Sequence, residues 1–327
     1  MNESRRAIVE RARQRRQRHQ QASWLPLLLG LGMLIACSGL ALIWGVTTVS
    51  RSLQMGDGLA SLQQGKPLMI LLLGIDQRSD ESGPTRSDSL ILLGSQPDNA
   101  GAAMLSVPRD LWVSIPGVGE QRINTALYFG YDPANPAAAP ELAVRTVQQE
   151  LNRPIDRYML LDFTTFVAVV DALGGIEVNV PVPIVDTEYP TADYGITTIS
   201  FDPGVQTLDG EHALIYVRTR HSDSDFGRSQ RQQQVIQALA AKAIQPANWP
   251  RLPEVYRVVR AGVVTNLTPQ DALAVLPLAS ALARGEVKTA TLEGNAATPW
   301  TTSGGAWVLL PNYTLIEQIV TSLFGPS

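Results

Sequence analysis

A chain of 327 residues, 45% of them hydrophobic, can bury a full core, and roughly one large or two small domains are expected. The formal charge of −4 hides an asymmetry: residues 1–22 carry seven arginines against Glu3 and Glu10, a net of +5, which leaves the remainder at −9. So acidic a body offers no general surface to nucleic-acid phosphates, which excludes nucleic acid as a partner and makes any anion site local.

The basic arm of residues 1–22 runs into the charge-free WLPLLLGLGMLIACSGLALIWGVTTV at 24–49. About 20 apolar residues cross a bilayer core, and a transmembrane helix is assigned to residues 23–49. Trp24 and Trp44 lie near its ends, where amphipathic rings favour the membrane interface. Seven arginines precede the run and only Arg51 and Lys66 follow it closely, which puts the N-terminus in the cytoplasm and the body outside. The apolar run exceeds the ~7–15 residues of a cleaved signal peptide. LIAC at 34–37 has the form of a lipoprotein processing box, but the long arm and the apolar residues beyond Cys37 argue against cleavage there. Cys37 is the single cysteine, so no disulfide supports the body.

Residues 50–66 form a linker, as a short helix or spacer. LMILLLGID (68–76) is a continuous apolar run, as a strand buried on both faces requires. SLILLG (89–94) and AAMLSVP (102–108) share that character, and LWVSIP (111–116) alternates like an exposed or edge strand. APELAVRTVQQELN (139–152) has helical periodicity, RYMLLDF (157–163) is a strand, and TTFVAVVDALGG (164–175) is a helix stopped by two glycines. IEVNVPVPI (176–184) predicts one further strand, and residues 185–205 a Pro-, Asp- and Tyr-rich loop. A helix begins in LDGEHALIYVRTR, and a second spans 228–245 with Val235, Ile236, Leu239, Ala240 and Ala243 at core spacing. TPQDALAVLPLASALA (268–283) predicts a helix with Thr268 as N-cap and Pro269 in the first position. A strand at 287–292 and a helix at about 311–324 close the chain. Strands mixed with helices throughout imply one α/β or α+β domain, and the fold expected is α/β, a mixed sheet with helices on both faces.

Polar residues gather at the ends of these apolar strands, where ligands bind in open α/β sheets. Asp76 and Arg78 follow the first strand, Arg86 and Asp88 precede the second, and Arg109 and Asp110 lie in the turn after the third. Arg122 and Asn124 follow, then VRTRHSDSDFGRSQRQQQ (217–234) with Arg218, Arg220, Asp225, Arg228, Arg231 and Gln232. The planar arginine fork grips phosphate oxygens through paired, charge-assisted hydrogen bonds. Two carboxylates such as Asp76 and Asp88 suit Mg²⁺, which takes one or two carboxylates plus phosphate oxygens and water. Together they would hold a diphosphate and neutralise charge during phosphoryl transfer. His212 and His221 have no metal-ligand companion at useful spacing, and no GxSxG or P-loop pattern is present. Taken singly, Asp110, Arg122 and Asp225 suit local ion pairs that fix turns better than a ligand site.

ILLLGIDQR, TRSDSLILL, LSVPRDLWVSIPG, RINTALYFG, LLDFTTFVAVVDALGGIEVNVP, LDGEHALIYVRTRH and DFGRSQRQQQVI, in this order behind a basic arm and one span, resemble the LytR–CpsA–Psr (LCP) family. The resemblance covers roughly residues 66–245 and implies an extracytoplasmic α/β catalytic domain (67–245), with 246–327 packed onto the same domain. It implies a phosphotransferase that moves a glycopolymer, as its phosphate, from a polyprenyl-pyrophosphate carrier to peptidoglycan. Hydrolysis of the same lipid diphosphate, or a non-enzymatic module that binds lipid-linked glycan, are the alternatives. Asp76 and Asp88 match the carboxylates that position Mg²⁺, with Mn²⁺ as a substitute ion. Arg86, Arg109, Arg218 and Arg220 match arginines that face the pyrophosphate, and Arg228 and Gln232 complete the head-group site. Arg78, Asp110, Arg122, Asn124, Asp225 and Arg231 fall behind these residues or on the acceptor side. FVAVVDALGGIEV would help wall a lipid pocket, and as a pattern it is equally good core.

Overall fold

A computed structural model describes residues 68–76, 83–96, 101–191, 195–219, 225–268 and 271–326, all in the unit Gly56–Ser327. The basic arm, the expected span at 23–49 with Cys37, and the linker lie outside the described residues, as do Arg78, Arg220 and the side chain of Asp225. Among the described residues no helix is long and apolar enough to cross a membrane.

The apolar runs become β1 (Met69–Ile75), β2 (Ser87–Ser95) and β3 (Ala102–Ser106), followed by the hairpin β4 (Trp112–Ile115) and β5 (Gly119–Arg122). Next come α1 (Ala126–Phe129), α2 (Ala138–Leu151), β6 (Arg157–Asp162) and α3 (Phe163–Ala172). Beyond α3 the chain turns through Gly174 and Gly175 at φ 77° and 84°, a region that glycine enters without steric cost. β7 (Ile176–Val180), β8 (Ile184–Pro190), β9 (Ile196–Phe201) and β10 (Gly204–Leu208) precede α4 (Gly210–Arg218) and α5 (Asp225–Ile244). The C-terminal part supplies α6 (Leu252–Gly262), β11 (Val264–Thr265), α7 (Ala272–Ala283) and β12 (Val287–Thr291). It ends with the hairpin β13 (Ala297–Thr301) and β14 (Trp307–Pro311), then α8 (Tyr313–Phe324).

Six strands form a mixed sheet in the order β11-β6-β1-β2-β3-β12. β1 is antiparallel to β2 and parallel to β6, and β12 joins β3 in parallel. Alternate residues of a strand face opposite sides, and both sides are covered. Leu71, Leu73 and Ile75 meet Leu142 and Val147 of α2 and Ile316 and Val320 of α8. Leu68 and Ile70 join the other core with Leu278 and Leu282 of α7 and the partly buried Ile236 of α5. Burial on both faces is why these strands show no polar alternation. Arg157 of β6 donates two 2.9 Å bonds to the buried Asp271, which also accepts from the N–H and hydroxyl of Thr268. The helix expected from Thr268 is thus tied at its start by Asp271 reaching back, with the Thr268 hydroxyl donating instead of accepting.

Three expectations are corrected. The single strand at 176–184 is interrupted after Val180, where Pro181 and Pro183 remove ladder donors. The loop at 185–205 is a hairpin, β8 with β9, and β10 pairs with β7. Its alternation is mixed: Asp186, 1% exposed, is buried on the same face as Ile184 and Tyr189, while Val185 and Ile196 face solvent. The hairpin β13–β14, with Pro299 and Pro311 inside its strands, has no counterpart in the predicted elements.

Candidate active site

The site grows from the end of the central strand pair. β1 and β2 pair Gly74 with Ser89, then Ile75 with Ser87, so Asp88 is the extra residue of a bulge. A bulge leaves its residue outside the ladder and re-aims its side chain. Asp88 thereby reaches the same cleft as Asp76, which follows β1 directly. The cleft holds about 340 Å³ and is also lined by Arg109, Arg218, Arg228 and Gln232.

Each carboxylate already engages an arginine. Arg109 Nη1 donates to Asp88 Oδ1 at 2.5 Å, and Arg218 Nη2 to Asp76 Oδ2 at 3.3 Å. Arg218 is held from three sides: its guanidinium lies 4.6 Å from the centre of the Phe163 ring and 5.7 Å from that of Tyr189, and Nη1 donates to the Tyr189 hydroxyl at 3.4 Å. Burial pushes the Tyr189 hydroxyl up, against the smaller pull of the neighbouring Arg218 charge. Tyr189 is therefore neutral at physiological pH, a hydrogen-bonding wall of the cleft.

The helix α5 presents Arg228 and Gln232 on one face, one turn apart, as i and i+4 residues must be. Ser89 donates to Gln232 Oε1 at 3.0 Å, tying the helix to β2. Arg231 does not line the cleft. It is 5% exposed and donates to the carbonyls of Tyr216 and Thr219, at 2.8 and 2.5 Å, bracing the C-terminal end of α4 from which Arg218 projects. Thr219 adds a 2.6 Å bond from its hydroxyl to Asp186.

A second cleft of about 370 Å³ shares Asp88, Ser89, Arg109, Arg228 and Gln232 with the first. Asp110 lies in its wall, within 3.3 Å of Arg122 Nε and 3.5 Å of Arg109 Nε. Asn124 is buried, and its N–H donates to the Arg109 carbonyl at 3.3 Å. Arg86, exposed just before β2, lines neither cleft.

Six of the anticipated residues, Asp76, Asp88, Arg109, Arg218, Arg228 and Gln232, thus line one cleft, with Asp110 on the adjoining one. Asp110 and Arg122 form the local ion pair that a turn-fixing role would give. Residues that sequence reasoning missed are Phe163, Asp186 and Tyr189 in the first cleft, and Glu293 and Trp307 in the second. A lone aromatic among the acids of DTEYP was the available signal for Tyr189. Among the described residues no group of three or more His, Cys, Asp or Glu could hold a metal ion. Asp76 and Asp88 share the first cleft, and such a pair would fit an ion that keeps waters and takes phosphate oxygens, as Mg²⁺ does.

The LytR_cpsA_psr family profile matches residues 46–324. The polyisoprenyl-teichoic acid–peptidoglycan teichoic acid transferase TagU of Oceanobacillus iheyensis is 35% identical over 258 residues, 78% of this chain and 75% of that one. TagT of Bacillus subtilis, a transferase of the same name, is 30% identical over 292 residues, 84% of this chain and 87% of its own. The crystal structure of Bacillus subtilis TagV, 29% identical, matches with a TM-score of 0.62 over 79% of this chain and 96% of that one. A structure of TagT bound to LI-WTA, 28% identical, matches at 0.59 over 79% and 90%.

Proposed function

The chain belongs to the LytR–CpsA–Psr family, and on that premise we propose that it transfers a glycopolymer, as its phosphate, from a polyprenyl-pyrophosphate carrier to peptidoglycan. The observation that carries the reading is the meeting of Arg109, Arg218 and Arg228 with Asp76 and Asp88 around one cleft. Three fixed cations suit the two phosphates of a lipid diphosphate. Phe163, Pro190 and Val217 supply apolar lining to the same cleft, against which the first part of a polyprenyl chain would rest.

In this reading a peptidoglycan hydroxyl attacks the glycan-side phosphorus in line. The new phosphoester bond forms as the bridging P–O bond breaks, and polyprenyl phosphate leaves with the bond's electrons. The hydroxyl proton passes to whichever of Asp76 and Asp88 serves as base instead of as metal ligand. Arg109 and Arg218, now on carboxylates, turn their forks to the phosphate oxygens and stabilise charge that grows on the leaving group. With the arginines turned away, Asp76 and Asp88 would hold Mg²⁺, or Mn²⁺ in its place, and the ion would supply further neutralisation of the diphosphate. Tyr189 and Phe163 keep the Arg218 guanidinium beside the cleft as it turns.

The charge-free run at 24–49, with its excess of arginine before it, supports a single span with the N-terminus in the cytoplasm and the catalytic domain outside. There the enzyme meets both a membrane-borne carrier and the wall. To test the reading, full-length protein in detergent micelles is given a synthetic polyprenyl-pyrophosphate disaccharide and peptidoglycan oligosaccharide, and polyprenyl phosphate release is followed. Release that requires the acceptor, stops with EDTA and returns with Mg²⁺ is the expected result. Equal release without acceptor would refute transfer, and release indifferent to EDTA would refute the metal.

A further inference from the structure

Where the recognised motifs end, the chain builds another wall for the site. The hairpin β13–β14 is pinned beside Arg109 by two bonds: Arg122 Nη2 donates to the Trp307 carbonyl at 2.6 Å, and the Leu309 N–H to the Asp110 carbonyl at 3.0 Å. These fix Trp307, whose residue surface is 49% exposed, on the lining of the second cleft. Phe226, in the first turn of α5 and 38% exposed, lines the same cleft from another element. Two large rings, each partly open to water, thus line one cleft from separate elements.

The chemistry around the rings is hydrogen-bonding. Glu293, Ser229 and Gln232 share the cleft with them, and Pro299 adds a flat apolar surface. Rings interleaved with polar groups match a sugar, which is apolar on its C–H faces and donates through its hydroxyls at its edge. Charge narrows the choice further. The arginines of this cleft, Arg109 and Arg228, are those it shares with the first cleft, whereas the charged group it adds beyond them and Asp110 is the carboxyl of Glu293. A second phosphate would be repelled there, and an uncharged sugar edge would not.

We propose that this cleft is the acceptor subsite, in which Trp307 and Phe226 hold the faces of a peptidoglycan sugar while Glu293 accepts hydrogen bonds from its hydroxyls. The proposal rests on the transferase reading and deepens it, by giving the C-terminal hairpin the task of choosing what receives the phosphate. The shared lining at Asp88 and Arg109 then brings the acceptor against the arginines that grip the diphosphate.

The test varies each substrate separately with full-length protein in micelles, the synthetic polyprenyl-pyrophosphate disaccharide as donor and peptidoglycan oligosaccharide as acceptor. Trp307→Ala should raise the acceptor KM about tenfold, in the range of an aromatic anchor, and leave the donor KM unchanged. Trp307→Phe keeps a ring and should recover most of that loss. Phe226→Ala, on a different element, should repeat the effect if the hairpin proves sensitive to the first change. A rise in donor KM would mean that the cleft holds the donor glycan and overturns the assignment, as does an acceptor KM that neither alanine moves. If the wild type itself joins nothing to the acceptor, the transferase reading fails first, an outcome distinct from a working enzyme whose acceptor KM ignores Trp307.

Discussion

Replacing Arg218 with alanine separates catalysis from stability more sharply than any other change in the site. In the structure its guanidinium makes one ion pair with Asp76 at 3.3 Å, with the two side chains 27% and 40% exposed, and lies over Phe163 at 4.6 Å. A partly exposed pair of this kind contributes about 0–1 kcal/mol, and a cation over a ring about 0.5–1 kcal/mol. Arg218→Ala should therefore cost about 1 kcal/mol of stability, which for a folded unit of this size lowers Tm by about 2 °C. The same guanidinium, turned to the leaving phosphate, stands where a preorganised donor is worth about 100- to 1000-fold in kcat. Arg218→Lys keeps the charge and loses the fork and much of the stacking, so its kcat should fall between alanine and wild type. Initial rates of polyprenyl phosphate release, beside a thermal melt of each variant, give both numbers. An Arg218→Ala protein with more than about a third of wild-type kcat would refute the clamp, because a charge-assisted contact to the transition state is lost with far larger effect. A loss of activity matched by unfolding would refute it equally.

Other expectations follow from buried charges away from the site. Asp271→Ala leaves Arg157 buried without its two 2.9 Å partners and should cost about 3–5 kcal/mol in urea unfolding; a loss under about 1 kcal/mol would contradict the pairing. Burial raises the Glu150 carboxyl to about 7, with the Tyr313 hydroxyl 3.5 Å away pulling the other way. Between the ordinary carboxylate range and pH 7 the folded state holds a proton that the unfolded state releases, so this group's contribution is complete below that range and fades as pH rises through about 7. Glu150→Gln should accordingly change little at pH ~5 and gain on the order of 2–3 kcal/mol over wild type at pH ~8, and an equal effect at both would rule the titration out.

How much of this was legible depended on whether burial and hydropathy agreed. β1, β2, β3 and β6 are buried on both faces, so unbroken runs such as MILLLGI announced them, and Gly174 and Gly175 marked the end of α3. β8 and β9 stayed hidden because their alternation is mixed, burying Asp186 against the Thr219 hydroxyl beside Ile184 and Tyr189 while Val185 and Ile196 face water. β13 and β14 are short, carry prolines and lie outside the central sheet, so neither periodicity nor composition singled them out. The site divides along the same line. Asp76, Asp88 and Arg109 were visible because apolar strands deliver them at their ends, although no pattern revealed that a bulge aims Asp88. Tyr189, Asp186 and Trp307 belong to the hidden hairpins, and their place in the clefts emerges only from tertiary pairing.

The most direct test of the central claim is mass spectrometry of the completed reaction: full-length protein, synthetic polyprenyl-pyrophosphate disaccharide, peptidoglycan oligosaccharide and Mg²⁺. The account predicts acceptor carrying the disaccharide through a phosphate, with one polyprenyl phosphate released for each, and loss of both products in Asp88→Ala. Unmodified acceptor beside free disaccharide phosphate, or donor that stays intact on the protein, would contradict it.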